Sequence, residues 1–270
     1  MNDTQALARE IRLSSLHMVH QARASHIGSA LSIADIVAVL YGHTLNIDPA
    51  QPSLPSRDRF ILSKGHACVA VYSALSARGF FPKQKLNDYA KDHSEMMSHV
   101  SHKVSGVEFS TGSLGHGLPF GTGKALAAKK LGQTWRVFVL LSDGELGEGS
   151  NWEAMMFASH HGLDNLTAIV DYNNLQSLTT IDKTLRVEPL ADKARSFGWS
   201  VREANGHNHC ELKAILNRSC GPWQNGMPSF LIAHTVKGKG VSFMEGKVEW
   251  HYRSPTPAQL AQALTEVQHA

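Results

Sequence analysis

At 270 residues, with 42% hydrophobic and 18% charged side chains, the chain can bury a substantial core as one large unit or two small ones. Its formal charge of +3 is mild and no Lys/Arg-rich block concentrates it, which argues against nucleic-acid binding. The start, MNDTQALARE, lacks the apolar core of a signal peptide, and no stretch reads as a run of about eighteen apolar residues, so no membrane span is expected and the cytoplasm is the expected location. Cys68, Cys210 and Cys220 are too few and too scattered for a disulfide framework, which fits a reducing compartment.

In chain order, residues 4–22 carry helical periodicity (Leu7, Ile11, Met18), with Thr4 as the candidate cap. Small residues around His26 (24–30) precede a second helix expected over 33–43. Pro49, Pro52 and Pro55 mark a surface crossing. The run 59–63 reads as a strand, followed by the turn Lys64-Gly65-His66 and a helix over 67–78. Residues 82–107 are polar and read as a helix followed by an irregular loop. The glycine-rich segment 108–117 leads into a helix over 118–131.

The central stretch runs from Arg136 to Gln176. The apolar run 137–141 ends in Ser142-Asp143-Gly144, and a second run, 166–170, ends in Asp171-Tyr172-Asn173-Asn174. Between them Trp152, Met155, Met156, Ser159 and Leu163 fall at helical spacing. Strand, loop, helix and strand put Asp143 and Asn173 at the same edge of a parallel sheet, where ligands bind. Beyond it, 179–190 reads as loop, 191–198 as a short helix, 199–201 as a strand, 211–218 as a helix, 229–236 as a strand and 256–270 as a surface helix. Strands alternating with helices predict an α/β fold, a mostly parallel sheet flanked by helices, organised as a single domain over 1–270.

Asp143 and Asn173, with a backbone carbonyl near Leu175, supply the hard oxygens that Mg²⁺ combines with substrate phosphates. Either residue alone fits a helix cap or a turn equally well; the pair at matching strand ends favours a ligand. The glycines at 112, 115, 117, 121 and 123 suit an anion at a helix start, a weak pattern by itself, and neither the Rossmann fingerprint nor the Walker A motif is cleanly present. His66 lies after a strand and a glycine turn, so it belongs to the same edge. The pair His99 and His102 and the set His207, His209 and Cys210 hint at zinc, but no metal-ligand spacing supports it.

With these residues laid out, the sequence resembles the thiamine-diphosphate enzymes, and within them the N-terminal half of transketolase. The family signature is Gly-Asp-Gly followed, about thirty residues on, by Asn or Asn-Asn; here it is Ser142-Asp143-Gly144 and Asn173-Asn174, with serine for the first glycine. The likeness extends through SHIGSALSIADI (25–36), RDRFILSKGHA (57–67), GVEFSTGSLGHG (106–117), EGSNWEA (148–154) and TVKGKGVSFME (235–245). It implies a thiamine-diphosphate-binding fold and the first chain of a transketolase split in two.

The resemblance also implies roles. Asp143, Asn173 and the Leu175 carbonyl hold Mg²⁺; Gly144, Gly112 and His66 contact the diphosphate; and Leu114 packs on the thiazolium ring. His26, His66 and His251 line the substrate channel, bind sugar hydroxyls and move protons. Glu148 and Glu153 resemble acidic residues that link two active sites across a subunit interface, so Glu148 and His251 join the expected cofactor-binding and catalytic sets. The family's Gly-His-Pro histidine has no full match, and His99 substitutes for it better than His102. Tyr252 stands where glycine is usual. The activity implied is transfer of a two-carbon ketol unit from a ketose, or its phosphate, to an aldose. The glutamate that activates the cofactor belongs to a pyrimidine-binding domain, expected here on a partner subunit in an α2β2 assembly. The competing readings are deoxyxylulose-phosphate synthesis, 2-oxo-acid decarboxylation and a non-catalytic orphan subunit.

Overall fold

The computed structural model describes residues 3–217, 223 and 226–269. Cys220, and the end of the helix expected to reach Arg218, lie outside them. Among the described residues five strands form one fully parallel sheet: β1 (Arg59–Leu62), β2 (Val137–Ser142), β3 (Leu166–Tyr172), β4 (Ser200–Asn205) and β5 (Ser229–His234), in the order β1-β2-β3-β5-β4. Because side chains alternate across a strand, each strand feeds two cores. Phe138, Leu140, Ile169 and Leu231 enter one; Val137, Val139, Leu141, Val170 and Ile232 enter the other. The central strands are therefore apolar at nearly every position, the pattern of a sheet covered on both faces.

The first layer contains α1 (Thr4–Ala22), α2 (Ile27–Val39), α3 (Cys68–Ala77), α8 (His209–Leu216) and α9 (Pro257–His269). The second is built from α4 (Gly117–Lys130), α5 (Gly149–His160), the single turn α6 (Ile181–Thr184) and α7 (Leu190–Ser196). Every residue of α2 is buried, and a π-helical turn, Leu40–Thr44, continues it. The segment Ile27–Thr44 thus has the length and hydropathy of a membrane span, contrary to the sequence expectation, but 89% of it is buried within the fold. It is the central helix of a layered core.

Several boundaries differ from expectation for local reasons. Asp3, not Thr4, caps α1, its carboxylate accepting the Gln5 and Ala6 amides; Thr4 is buried inside the helix. Helix α2 begins six residues early, at Ile27, because His26 adopts φ 77° and turns the chain directly into it. The polar stretch expected to begin as a helix forms only the 3₁₀ turn Lys83–Asp88. Met156, placed inward by periodicity, is 55% exposed, because the face that α5 buries runs through Asn151, Ala154, Met155 and Ala158; α5 ends at His160 and Leu163 reaches the core from the following loop.

Candidate active site

The carboxyl ends of β1, β2 and β3 and the connection after β5 meet at one edge of the sheet. There they enclose a cavity of about 290 Å³. Ser142 closes β2 in ordinary strand geometry, so the serine-for-glycine change meets no conformational demand, and its hydroxyl accepts the Glu145 amide at 3.3 Å. Asp143 follows, 1% exposed. Its Oδ1 accepts the Gly144 amide (2.7 Å) and its Oδ2 accepts the amides of Asn173 (2.9 Å) and Asn174 (2.7 Å), which ties the ends of β2 and β3 together. Burial, and then the neighbouring Asp171 carboxylate, raise Asp143 to about 6. Asn174 sits at φ 63°, a conformation asparagine tolerates, and so lets the chain turn back over the carboxylate.

The Asn173 amide is oriented from both sides. Its Nδ2 donates to Asp171 Oδ2 (3.0 Å) and to Ser32 Oγ (3.2 Å), while its Oδ1 accepts the Leu175 amide (3.0 Å). Asp143, Asn173 and Leu175 all line the cavity. Gly112, Leu114 and Gly144 line it too. The loop carrying the first two is held by close backbone approach: a Cβ at Gly65 would lie 2.2 Å from the Thr111 carbonyl oxygen. Gly115, at φ 83°, packs under α5, where Ser150 donates to its carbonyl (2.6 Å).

Four imidazoles converge here. Ring centroids lie 5.1 Å apart for His26 and His66, 5.6 Å for His26 and His99, 5.0 Å for His26 and His251, and 5.4 Å for His66 and His251. Burial is the largest cause lowering each. It acts with His99, Lys237 and Lys64 to bring His26 to about 4, and chiefly with Lys237 to bring His251 to about 3. Burial followed by Lys64 holds His66 well below its ordinary value, and burial alone lowers His99. All four are therefore neutral near pH 7 and can both donate and accept hydrogen bonds. The left-handed backbone of His26 is a strained conformation for a non-glycine residue, retained where it aims the ring into the cavity.

Two lysines at the site are not singled out by sequence reasoning. Lys64, 1% exposed, pairs with Asp171. Lys237, 2% exposed, donates to the carbonyls of Leu175 (3.4 Å) and Gln176 (3.2 Å) and to His251 Nδ1 (3.1 Å). Burial, then Lys64, brings Lys237 down to about 8. The available signal was a charged residue abutting an apolar strand: ILSK after β1, and AIVD within β3. Glu145, 0% exposed, was also missed. It accepts from Ser63, from the Gly115 amide (2.9 Å) and from the Ser142 amide (3.2 Å).

Other expected residues lie elsewhere. Glu148 and Glu153 are exposed and do not line the cavity; Glu148 heads α5 and Glu153 stands on its outer face. His99 lines the cavity, whereas His102 is exposed and engages Ser110 (2.7 Å). His207 and His209 both bond the buried Asp35 on α2. Tyr252 lines the cavity mouth, 55% exposed, with its ring edge-on to His251.

The family model described as the thiamine-diphosphate-binding domain of transketolase matches residues 3–265. An apulose-4-phosphate transketolase subunit from Phocaeicola vulgatus is 41% identical over 254 residues, covering 93% of this chain and 89% of that protein. A 6-deoxy-6-sulfo-D-fructose transketolase subunit from a Clostridium species is 37% identical over 267 residues, covering 98% and 96%. Human transketolase is 35% identical over 260 residues, 96% of this chain but 41% of the human protein. Among solved structures, transketolase from Campylobacter jejuni superposes with a TM-score of 0.92 at 30% identity, covering 99% of this chain and 43% of that one. The chain thus spans most of the length of the two bacterial subunits and less than half of the solved transketolase.

Proposed function

The chain belongs to the transketolase thiamine-diphosphate-binding family, and from that premise we propose that it is the diphosphate-binding subunit of a two-chain transketolase. With thiamine diphosphate and Mg²⁺ it passes a two-carbon ketol unit from a ketose or ketose phosphate to an aldose or aldose phosphate. The observation that carries this reading is one cavity lined by the hard oxygens of Asp143, Asn173 and Leu175, two ammonium groups and four neutral imidazoles.

The residues fit the cofactor. Asp143 Oδ2 accepts two backbone amides and Oδ1 one, which leaves Oδ1 a lone pair for a cation, and the Asn173 and Leu175 oxygens are the ligand type Mg²⁺ takes. Lys237 offsets phosphate charge, and Gly144 leaves room that a side chain would take: a Cβ there would lie 2.8 Å from Gln176. Thiamine diphosphate, when bound, supplies the carbon nucleophile and electron sink that protein side chains lack.

The protein positions the sugar and handles its protons. His26, His66, His99 and His251 are neutral, so their rings can hydrogen-bond sugar hydroxyls and relay a proton, accepting it at one nitrogen as the other gives one up. Lys237 donates to His251 Nδ1, which leaves the proton of that neutral ring on Nε2. Tyr252 at the mouth, in place of the usual glycine, narrows the approach of the acceptor sugar. Relatives named for apulose 4-phosphate and 6-deoxy-6-sulfofructose support a modified sugar carrying an anionic group, phosphate or sulfonate, as the substrate class.

The pyrimidine-binding domain is supplied by the partner subunit, giving an α2β2 assembly in the cytoplasm. Relatives of nearly the same length that are themselves named as transketolase subunits support a two-chain enzyme. So does the outer face of α5, where Met156 (55% exposed) and Phe157 (43% exposed) adjoin Glu153. Calorimetry of the chain with Mg²⁺ and thiamine diphosphate tests the cofactor assignment: heat of binding is expected for the wild type and lost in Asp143→Ala. Equal binding by the two proteins would contradict it.

A further inference from the structure

Asp35 lies on the buried helix α2 and is 5% exposed. Four donors from three segments reach its carboxylate. Arg12 on α1 chelates it with two nitrogens, at 3.0 and 2.6 Å; His207 Nδ1 lies at 2.7 Å and His209 Nε2 at 2.9 Å. Burial raises the carboxyl, but the hydrogen bonds of His207 and His209 and the Arg12 charge outweigh it and hold Asp35 well below the usual carboxylate range. Two of these partners continue to a single loop. His207 Nε2 accepts the Val236 amide at 2.9 Å, and Arg12 Nε donates to the Lys239 carbonyl at 3.1 Å.

Lys237 lies between those two attachment points. Because the Val236 amide can only donate, His207 Nε2 must be unprotonated, and the ring proton is then on Nδ1, facing Asp35. One carboxylate therefore fixes the ring that holds the backbone before Lys237 and the guanidinium that holds the backbone after it. A lysine side chain loses much rotamer freedom when held in one buried conformation. Lys237 is nonetheless 2% exposed, with its ammonium directed at Leu175, Gln176 and His251. Resting on the cofactor reading above, we infer that Asp35, acting through His207 and Arg12, is a positioning residue that presents the Lys237 ammonium to the diphosphate.

The mildest disruption is His207→Ala. The His207 side chain is 13% exposed, and its loss leaves Asp35 with the Arg12 and His209 donors. Calorimetric titration of the full chain with Mg²⁺ and thiamine diphosphate, with thermal unfolding alongside, reads the effect. His207→Ala is expected to weaken binding about tenfold, the scale of one lost hydrogen bond. His207→Gln, whose amide can donate to Asp35 and accept from Val236, is expected to restore it. In a Lys237→Ala background His207→Ala should change binding little, because the two act in series. Arg12→Lys, which keeps a charge for Asp35 but loses the donor to Lys239, is the second variant and should behave like His207→Ala. An equal loss in both backgrounds, or no loss in the wild-type background, overturns the inference. A wild-type chain that takes up no thiamine diphosphate overturns the cofactor reading and this inference with it.

Discussion

The Lys64 ammonium meets the Asp171 carboxylate at 2.5 Å, with both side chains almost completely buried, 1% and 0% exposed. The pair joins the segment after β1 to β3, and Asp171 also accepts from Ser32, Thr235 and Asn173. That bond to Asn173 fixes which end of the amide faces the cavity. A structural ion pair thereby orients the amide proposed above to hold the cation. Removing one partner of such a pair leaves a buried charge without compensation. Lys64→Met should destabilise the chain by about 3–5 kcal/mol in urea unfolding, and Lys64→Met with Asp171→Leu should cost less than Lys64→Met alone. Additive losses would show that the two charges do not interact.

Asp143 gives the ligand-free chain a distinctive pH response. Burial and Asp171 raise its carboxyl above the ordinary 3.8, to about 6. The folded chain therefore holds an extra proton between those values, so this group favours folding on the acid side and its contribution is lost as pH rises through about 6. A bound cation requires the ionised form. The affinity for Mg²⁺ and thiamine diphosphate should fall as pH drops below 6, with up to one proton released per cofactor bound, measurable by calorimetry in buffers of different ionisation heat. Affinity independent of pH between about 5 and 7 would remove Asp143 from the ligand set.

The histidines should behave oppositely to free imidazole. His26 is held at about 4 and His251 at about 3, burial being the largest cause in both. Their ring resonances in the ligand-free chain should stay flat from about pH 8 to 5 in an NMR titration. In the reconstituted enzyme, His99→Ala should lower kcat/KM by about 10²-fold or more, the usual scale for a proton-transfer group. His102→Ala, which lies outside the cavity, should leave it within about twofold; the reverse order would exchange their roles.

Glu145 offers a test of the loop architecture. Its two oxygens accept from Ser63, Gly115 and Ser142, and two of those donors are backbone amides that cannot reverse. Glu145→Gln puts an amide NH₂ against at least one of them and should cost about 1–3 kcal/mol of stability. Because Gly115 belongs to the loop carrying Gly112 and Leu114, cofactor affinity should fall as well. Unfolding curves and calorimetry on the same samples check both.

The parallel sheet was legible because its buried strands are short apolar runs, each followed by polar or glycine residues at the edge where ligands bind. The pairing of Asp143 with Asn173 was legible for the same reason. The start of α2 was not, because it depends on the left-handed conformation of His26, which is rare for any non-glycine residue. Nor were Lys64, Asp171, Lys237 and Glu145 as a set. A lone charged residue beside a strand reads as surface, and only the tertiary pairing shows that the charge is buried and matched. Glu148 entered the expected site through resemblance, and its exposed position at the head of α5 fits contact with another subunit better than contact with the sugar.

The most direct test of the central claim is a ketol-transfer assay on this chain alone and after mixing with a chain carrying the pyrimidine-binding domain, with Mg²⁺ and thiamine diphosphate present in both. Activity is expected only in the mixture, rising with added partner to a one-to-one ratio, and absent when Asp143→Ala replaces the wild type. Full activity from this chain alone would contradict the two-chain account.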